Sequence, residues 1–363
     1  METSPIRMAR ERRGWSQSRL IGELRRSARL HGISLMSDSS LRVALSRWEN
    51  NRVSPSPEYE DLLGLALGVS LSETQPAREA RSTRPTGRLS LAVVTAQAPV
   101  LEALRRSDRL GCASITNPQL TAYALTLRTL LRARTGPLEA QLGAAALLAD
   151  AEALIGWQLL DLGQPTAALA NYRRAEESAL RSEDPHLIAH ARAGQAIAYL
   201  DLDRPGEAHQ LMASTRDQAI PKVTPLFQAW LHAAVAETAA ATGSQQECKD
   251  ALAAADEALP GSNDHYPELP YVTLDRAHLQ RWAGHSLSML GDRQAVDILD
   301  EVVDRMPADF VRARGAMHTD LALCHSALGN AADARRCGRI ATDLVRDSGS
   351  RRQSRRLMAL QAA

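Results

Sequence analysis

The sequence predicts an all-α protein made of a small N-terminal helical bundle and a longer array of helical hairpins. Its apolar residues are mainly Ala and Leu, and only 4% of residues are aromatic, with two Phe. This composition suits close-packed helices better than the core of a sandwich or barrel. Apolar residues recur at helical spacing, and turn residues recur at long, regular intervals. A chain of 363 residues is long enough for two domains.

Charge is distributed unevenly along the chain. The whole protein has a net charge of +1, but residues 1–52 carry +6 and the remainder carries −5. A basic head on a mildly acidic body is typical of a nucleic-acid-binding module joined to a second domain. A solvated charged surface is the alternative interpretation.

The first helices are marked by their start and stop residues. Pro5 suits a first helical turn, and Gly14 ends a helix over 5–13. Ser16 is a natural N-cap for a second helix, whose apolar residues include Leu20 and Leu24. Ser37 or Asp38 can cap a third helix, and residues 58–67 form a further helix stopped by Gly68.

Residues 39–52 contain the most informative pattern. Leu41, Leu45 and Trp48 form one apolar stripe of a helix. The opposite face carries two guanidinium groups, a hydroxyl and a valine, from Arg42, Val43, Ser46 and Arg47. Asn tolerates the left-handed conformation that closes a helix, so Asn50–Asn51 ends it. The pattern predicts a helix with one side buried and a basic side exposed.

This stretch resembles the recognition helix of the XRE (phage-repressor-like) helix-turn-helix family. The motif stands as Leu-Ser-Arg-Trp-Glu-Asn-Asn at residues 45–51, followed by Pro55. The resemblance implies binding to double-stranded DNA and an ion pair between Arg10 and Glu49. The four side chains of the exposed face would read base edges, and Gln17, Arg19 and Arg52 would contact phosphates. The predicted DNA-binding residues are Gln17, Arg19, Ser39, Ser40, Arg42, Val43, Ser46, Arg47 and Arg52.

The sequence departs from the family between the second and third helices. The second helix extends through Arg25, Arg26 and Arg29, so the connection exceeds the usual tight turn by about a dozen residues. That insertion leaves the docking of the second helix on the third open.

Three regions follow from these patterns: a helix-turn-helix domain over 1–73, a linker over 74–90 and a helical repeat domain over 91–363. The linker is rich in Pro, Gly and Arg and has no apolar periodicity. A tether is the main interpretation, and a basic arm that touches phosphates is the alternative.

The C-terminal region resembles the tetratricopeptide (TPR) repeat. Gly156, Gly163, Ala168, Tyr172 and Ala175 match its pattern of small residues and one aromatic. Equivalent turns recur at spacings of 40, 40, 48 and 38 residues, at Gly163, Asp203, Gly243, Gly291 and Gly329. Each is followed five residues later by a small or β-branched residue, at Ala168, Ala208, Cys248, Val296 and Ala334. The resemblance predicts a TPR-like α-solenoid, and an irregular all-α domain is the alternative.

A solenoid of this kind has a concave wall lined by the first helix of each pair. The resemblance puts aromatic, histidine and charged residues on that wall, a mixture suited to a peptide, small-molecule or protein ligand. Packing or solvated residues are the alternative for each of them. The candidates are Asp150, Trp157, His190, Trp230, Glu237, His278, Arg281 and His285.

Other classes of function find no support in the sequence. There is no phosphate-binding glycine loop, nucleophile elbow or zinc-protease motif, so neither an enzyme nor a cofactor is predicted. His278 and His285 are two turns apart, and Cys112, Cys248, Cys324 and Cys337 lack chelating spacing, so no metal site is predicted. No apolar run of membrane-spanning length is evident, and a reducing cytosol is the expected compartment.

These observations predict a cytoplasmic, homodimeric transcriptional regulator with a ligand-sensing repeat domain. The alternative is a protein–protein adaptor whose helix-turn-helix no longer reads DNA. The arginines of residues 351–356 have two interpretations, a DNA contact or a charged helix end.

Overall fold

A computed structural model describes residues 4–30, 35–55, 57–67, 89–110, 113–132, 136–261 and 269–362. Within these ranges the regular structure is helical throughout. The chain divides into two compact units, Met1–Thr86 and Gly87–Ala363. Gly68 and residues 74–88 of the predicted linker lie outside the described residues. Leu89, assigned to the linker, is buried in the core of the second unit.

The first unit contains four described helices: α1 (Pro5–Arg12), α2 (Gln17–Leu30), α3 (Asp38–Glu49) and α4 (Pro57–Leu67). The predicted start and stop residues act as expected. The backbone N–H of Arg19 donates to the Ser16 hydroxyl at 3.2 Å, and that of Ser40 donates to Ser37 at 3.3 Å. Gly14 and Asn51 have φ of +64° and +53°, the left-handed conformation that ends a helix.

One small core joins these helices. Leu20 and Leu24 of α2 are fully buried against Leu41 and Leu45 of α3, and Trp48 is also buried. Trp48 contacts the Tyr59 ring of α4, with 5.2 Å between ring centroids. The apolar stripe of α3 therefore faces inward, as its spacing predicts.

The start of α3 is fastened to α2 and α4 despite the long connection before it. Arg25 of α2 makes an ion pair with Asp38 and donates to the Met36 carbonyl oxygen at 3.3 Å. The Met36 backbone N–H donates to the Tyr59 hydroxyl at 3.1 Å. These contacts fix the docking of α2 and α3, which the sequence left open.

The second unit contains thirteen described helices and a short 3-10 turn at Ile220–Lys222. The helices are α5 (Leu91–Leu110), α6 (Ala113–Arg132), α7 (Leu138–Asp161), α8 (Pro165–Ser182), α9 (Pro185–Asp201), α10 (Pro205–Ala219), α11 (Pro225–Ala241), α12 (Gln245–Ala258), α13 (Arg276–Met289), α14 (Gln294–Arg305), α15 (Val311–Ala327), α16 (Ala331–Ser348) and α17 (Arg351–Ala362).

The five predicted turns all connect the two helices of a hairpin. Gly163, Asp203, Gly243, Gly291 and Gly329 have φ between +60° and +78°. The small residues at Ala168, Ala208, Cys248 and Ala334 are buried where the second helix begins. In the fourth hairpin Ala295 is fully buried and Val296 only partly. In this hairpin the second helix begins at Gln294, which is one residue further from the turn than in the other four hairpins.

Close helix crossings explain the small residues of the first repeat. A Cβ added to Gly156 would lie 2.9 Å from the Tyr172 ring, and one added to Gly194 would overlap that ring. Tyr172 of α8 therefore fits between α7 and α9 only because both contact positions are glycine.

The first helices of the hairpins form an inner layer. Contacts run in sequence from α7 through α9, α11, α13 and α15 to α17, and α17 returns to contact α7. The inner layer is thus closed by the C-terminal helix. The sequence predicts a concave wall lined by the first helix of each hairpin, and it does not predict that α17 lies between the last hairpin and the first.

The apolar composition of α7 is explained by its position in the fold. Among the described residues it is the one helix long and apolar enough to cross a membrane, and 67% of its most apolar window is buried. It packs against α5, α6, α8 and α9. Its apolar character matches that central position.

Candidate functional site

The exposed face of α3 is the first candidate site. The side chains predicted to contact DNA on this helix, Ser39, Ser40, Arg42, Val43, Ser46 and Arg47, are all exposed, whereas Leu41, Leu45 and Trp48 beneath them are buried. Val43 is 54% exposed and lies beside the two arginines on this face. The face borders a shallow concavity of about 580 Å³ that reaches Val53 after the helix.

Serine hydroxyls order the beginning of this face. The Ser37 hydroxyl donates to Ser40 at 2.9 Å and lies 3.0 Å from the Ser39 hydroxyl. At the other end, the Asn50 amide donates to the Ser46 carbonyl oxygen at 2.7 Å. The helix is therefore capped at both ends by its own polar side chains.

A buried ion pair braces α3 from below. Arg10 of α1 donates two hydrogen bonds to the Glu49 carboxylate, at 2.5 and 3.0 Å, and a third to the Trp15 carbonyl oxygen at 2.7 Å. The side chains of Arg10 and Glu49 are 12% and 3% exposed. Hydrogen bonding to Glu49 raises the pKa of Arg10. The pair fixes the angle of α3 against α1.

Gln17 belongs to the same brace. Its side-chain amide donates to Glu49 at 2.8 Å, so that N–H group is used inside the bundle. The side chain predicted to contact phosphate at this position is therefore directed into the bundle. Arg19 is exposed nearby, with its guanidinium 5.4 Å from the centroid of Trp15, and Arg52 is exposed after α3.

The inner layer of the second unit is the second candidate site. Four of the predicted wall residues, His190, Trp230, Glu237 and His285, are joined in one chain of contacts. His190 lies 5.4 Å from Trp230, which lies 5.8 Å from Trp282, measured between ring centroids. The Trp282 indole donates to Glu237 at 2.7 Å, and Glu237 lies 3.6 Å from Nε2 of His285.

His285 lies between two carboxylates. Its Nδ1 is 3.0 Å from Asp320, opposite Glu237. Burial alone would lower the pKa of His285, but Asp320 and Glu237 outweigh it and raise the pKa to about 9. His190, by contrast, is buried against Trp230 and Tyr271, and burial lowers its pKa to about 3. Of these two histidines, His285 is charged and His190 is neutral at neutral pH.

The remaining predicted wall residues have separate environments. Asp150 is buried in an ion pair with Arg105 of α5, at 2.6 Å, and is not open to a ligand. His278 contacts the N-cap residue Asp275 at 2.7 Å. Burial lowers the pKa of Arg281, against the opposing effect of carboxylates that include Asp320 and Glu237. Trp157 is 39% exposed.

Several residues of this wall were not predicted from the sequence. Asp201 and Asp320 bind Arg352 and Arg356 of α17, at 2.9 and 2.6 Å. Arg312 of α15 reaches back to Asp108 at the end of α5, at 3.2 Å. These partners are separated by 36 to 204 residues, so no local spacing marks them. The arginine run of residues 351–356 thus includes groove contacts as well as a charged helix end.

Comparison with solved structures gives likenesses of limited extent, two of which are described here. No family model matches the chain, and no curated protein matches it. Both likenesses are to TPR-like repeats of a Podosopora anserina protein described as a kinesin light chain, one of them a single-substitution variant. Each has 15% sequence identity and covers 53% of this chain and 92% of the other, with TM-scores of 0.35 and 0.36. TM-scores at this level assign no family.

Proposed function

We propose that this protein is a sequence-specific DNA-binding transcriptional regulator. The observation that carries the proposal is the construction of α3, whose exposed face presents Arg42, Val43, Ser46 and Arg47 while Glu49 is braced from below. A rigid helix with arginines on one side has the dimensions and chemistry to enter a DNA major groove.

Each exposed side chain has a chemical counterpart in DNA. Arginine pairs with the O6 and N7 atoms of guanine, serine accepts several partners, and Val43 can pack on a thymine methyl group. Arg52, Arg19 and the backbone N–H groups at the start of α2 lie outside this face and suit phosphate contacts. Base-reading and phosphate-binding groups are therefore divided as a DNA-binding surface requires.

The second unit would supply assembly and regulation. Stacked helical hairpins offer extended surfaces for protein partners, and no catalytic role is proposed for them. A homodimer joined through these units would bring two α3 helices to half-sites about 10 base pairs apart, or a multiple of that. The expected compartment is the cytoplasm.

Selection of binding sites by the full-length protein tests this function. Incubation with a random duplex library and repeated recovery of bound DNA should enrich one short, two-fold symmetric sequence. The Arg42→Ala/Arg47→Ala variant should enrich nothing, whereas Arg12→Ala, an exposed arginine of α1, should enrich the parental sequence. Absence of enrichment by the parent protein would refute the proposal.

A protein–protein adaptor is the second candidate. The sequence between α2 and α3, residues 31–37, is longer than the turn of the helix-turn-helix pattern that it resembles. The repeat unit by itself suits protein partners. A DNA-binding protein is retained on DNA in a way that weakens steeply as the salt concentration rises, because it binds phosphates. An adaptor would show no such retention.

A further inference from the structure

The inner layer of the second unit carries a row of carboxylates from successive helices. Asp161 ends α7, Asp201 ends α9, Glu237 lies in α11 and Asp320 in α15. We call these four residues the acidic wall. Three of them are 7% exposed or less, and none is neutralised by a lysine or arginine of its own hairpin. The charges on this wall therefore depend on groups from elsewhere in the chain.

Helix α17 supplies much of the opposite charge. It contains four arginines and no acidic residue. Arg352 and Arg356, one helical turn apart, bind Asp201 and Asp320. Ser350, just before the helix, donates to Asp161 at 2.5 Å, and Arg355 donates to the Gly163 carbonyl oxygen at 3.3 Å.

The electrostatic match is specific to two of the four arginines. Burial would lower the pKa of Arg352, but Asp201 and Glu237 outweigh it and raise the pKa. Its guanidinium also lies 5.9 Å from the ring centroid of Trp157, an exposed aromatic of α7. Arg351 and Arg355 have exposed side chains, and Arg355 donates to the backbone carbonyl oxygens of Gly163 and Asp201 and not to a carboxylate of the wall.

Apolar burial holds α17 only weakly. Among its described side chains Leu357 is buried, Leu360 is partly buried and Met358 is 62% exposed. The helix follows Gly349, whose φ of +69° ends α16. A helix with few buried apolar side chains that is held mainly by ion pairs is among the first elements of a fold to open.

We propose that the acidic wall is a docking surface for an arginine-bearing helix of a partner protein, and that α17 occupies it in the unbound protein. A partner would present two arginines four residues apart to Asp201 and Asp320, and so replace α17. This is recognition of a helix in a groove, with charge rather than apolar residues as the anchor. The tethered helix competes at high effective concentration, which keeps the surface closed until a partner binds.

Binding of a peptide to the full-length protein tests this proposal. The probe is a fluorescent peptide of residues 350–363, measured by anisotropy against the parent protein and the Arg352→Gln/Arg356→Gln variant. The variant should bind the peptide about tenfold more tightly than the parent, because its own helix competes poorly. Adding Asp201→Asn and Asp320→Asn should abolish that gain, as should glutamine at both arginines of the peptide.

A matched control removes the same charge elsewhere. Arg336 and Arg346 of α16 are 55% and 70% exposed and pair only with neighbouring aspartates in the described residues. The Arg336→Gln/Arg346→Gln variant should bind the peptide as weakly as the parent. Equal gains in both variants would overturn the proposal, since the effect would then be non-specific attraction.

Two further outcomes would also overturn it. If the Arg352→Gln/Arg356→Gln variant keeps its helix content and melting temperature yet binds no peptide, the wall does not accept a helix in trans. Loss of folding in that variant, seen by circular dichroism, would show that the second unit needs α17 in order to fold. Helix α17 would then not be an occupant that a partner helix can replace. The readout involves no DNA, so its result is independent of the DNA-binding proposal.

Discussion

Glu49 connects the buried side of α3 to the position of its exposed face. Its carboxylate accepts hydrogen bonds from Arg10 and Gln17, which come from α1 and α2. The orientation of the exposed face of α3 is therefore set by Glu49, which lies on the buried side of the same helix. The resemblance to a helix-turn-helix motif implies the contact with Arg10, but nothing in the sequence indicates that Gln17 would turn inward as well.

Glu49→Gln should loosen the first unit. The amide cannot accept both Arg10 hydrogen bonds and leaves a guanidinium without its charge partner, which costs about 1–3 kcal/mol. Hydrogen–deuterium exchange of α3 amides in the full-length protein should become roughly tenfold faster or more. Glu11→Gln should change exchange little, because Glu11 is an exposed carboxylate that pairs with Arg7 and comes no closer than 3.6 Å to Arg10. Equal protection in both variants would refute the bracing role.

His285 should make the second unit less stable in mildly alkaline solution. Its pKa is raised from an ordinary 6.5 to about 9 in the folded protein. The associated stability is fully present below pH 6.5 and is lost as the pH rises through 9. For a side chain 22% exposed we expect a loss of roughly 2–3 kcal/mol.

Thermal unfolding measured between pH 6.5 and 9.5 checks this expectation. The parent protein should lose melting temperature over that range, and His285→Gln should be less stable at pH 6.5 but show a flatter dependence. His278→Gln is the control, because His278 contacts the N-cap residue Asp275 of its own helix and not the two carboxylates that flank His285. A parallel pH dependence in the parent and His285→Gln would contradict the assignment.

At the scale of the element, small residues decide where helices can cross. The sequence predicts the hairpin turns correctly, because left-handed turn positions at Gly163, Gly243 and Gly329 depend on local backbone preference. It also predicts the contact of Tyr172 with small residues. It does not predict that Ala295, and not Val296, is the buried residue of the fourth hairpin. That one-residue difference depends on how the turn at Gly291 leads into α14.

Gly194→Ala should destabilise the first repeat. An added Cβ overlaps the Tyr172 ring, so α9 or the ring must shift, at a cost of about 1–3 kcal/mol. Gly206→Ala, in α10, is the control, because an added Cβ there meets nothing within 4 Å. Chemical unfolding followed by circular dichroism should show the loss only for Gly194→Ala, and Tyr172→Leu should partly restore stability. Equal stability of the two alanine variants would refute the close-crossing account.

At the scale of the whole molecule, the sequence predicts the elements but not the closure of the repeat unit. Helical periodicity and caps depend on neighbouring residues, so α1 to α4 and the hairpins can be identified from local patterns. The contact of α17 with α7 and the pairs of Arg352 and Arg356 depend on the accumulated rotation of five hairpins. The sequence therefore predicts a wall for a ligand, and in the structure helix α17 of the same chain occupies that wall.

DNA affinity of the parent protein and Arg47→Ala tests the central claim most directly. Both proteins would be measured on the selected site and on its shuffled sequence at several salt concentrations. We expect Arg47→Ala to lose about 1–3 kcal/mol on the selected site, to blur one base position and to change affinity for the shuffled sequence little. Equal affinities of the two proteins on both sequences would show that the exposed face of α3 does not read DNA.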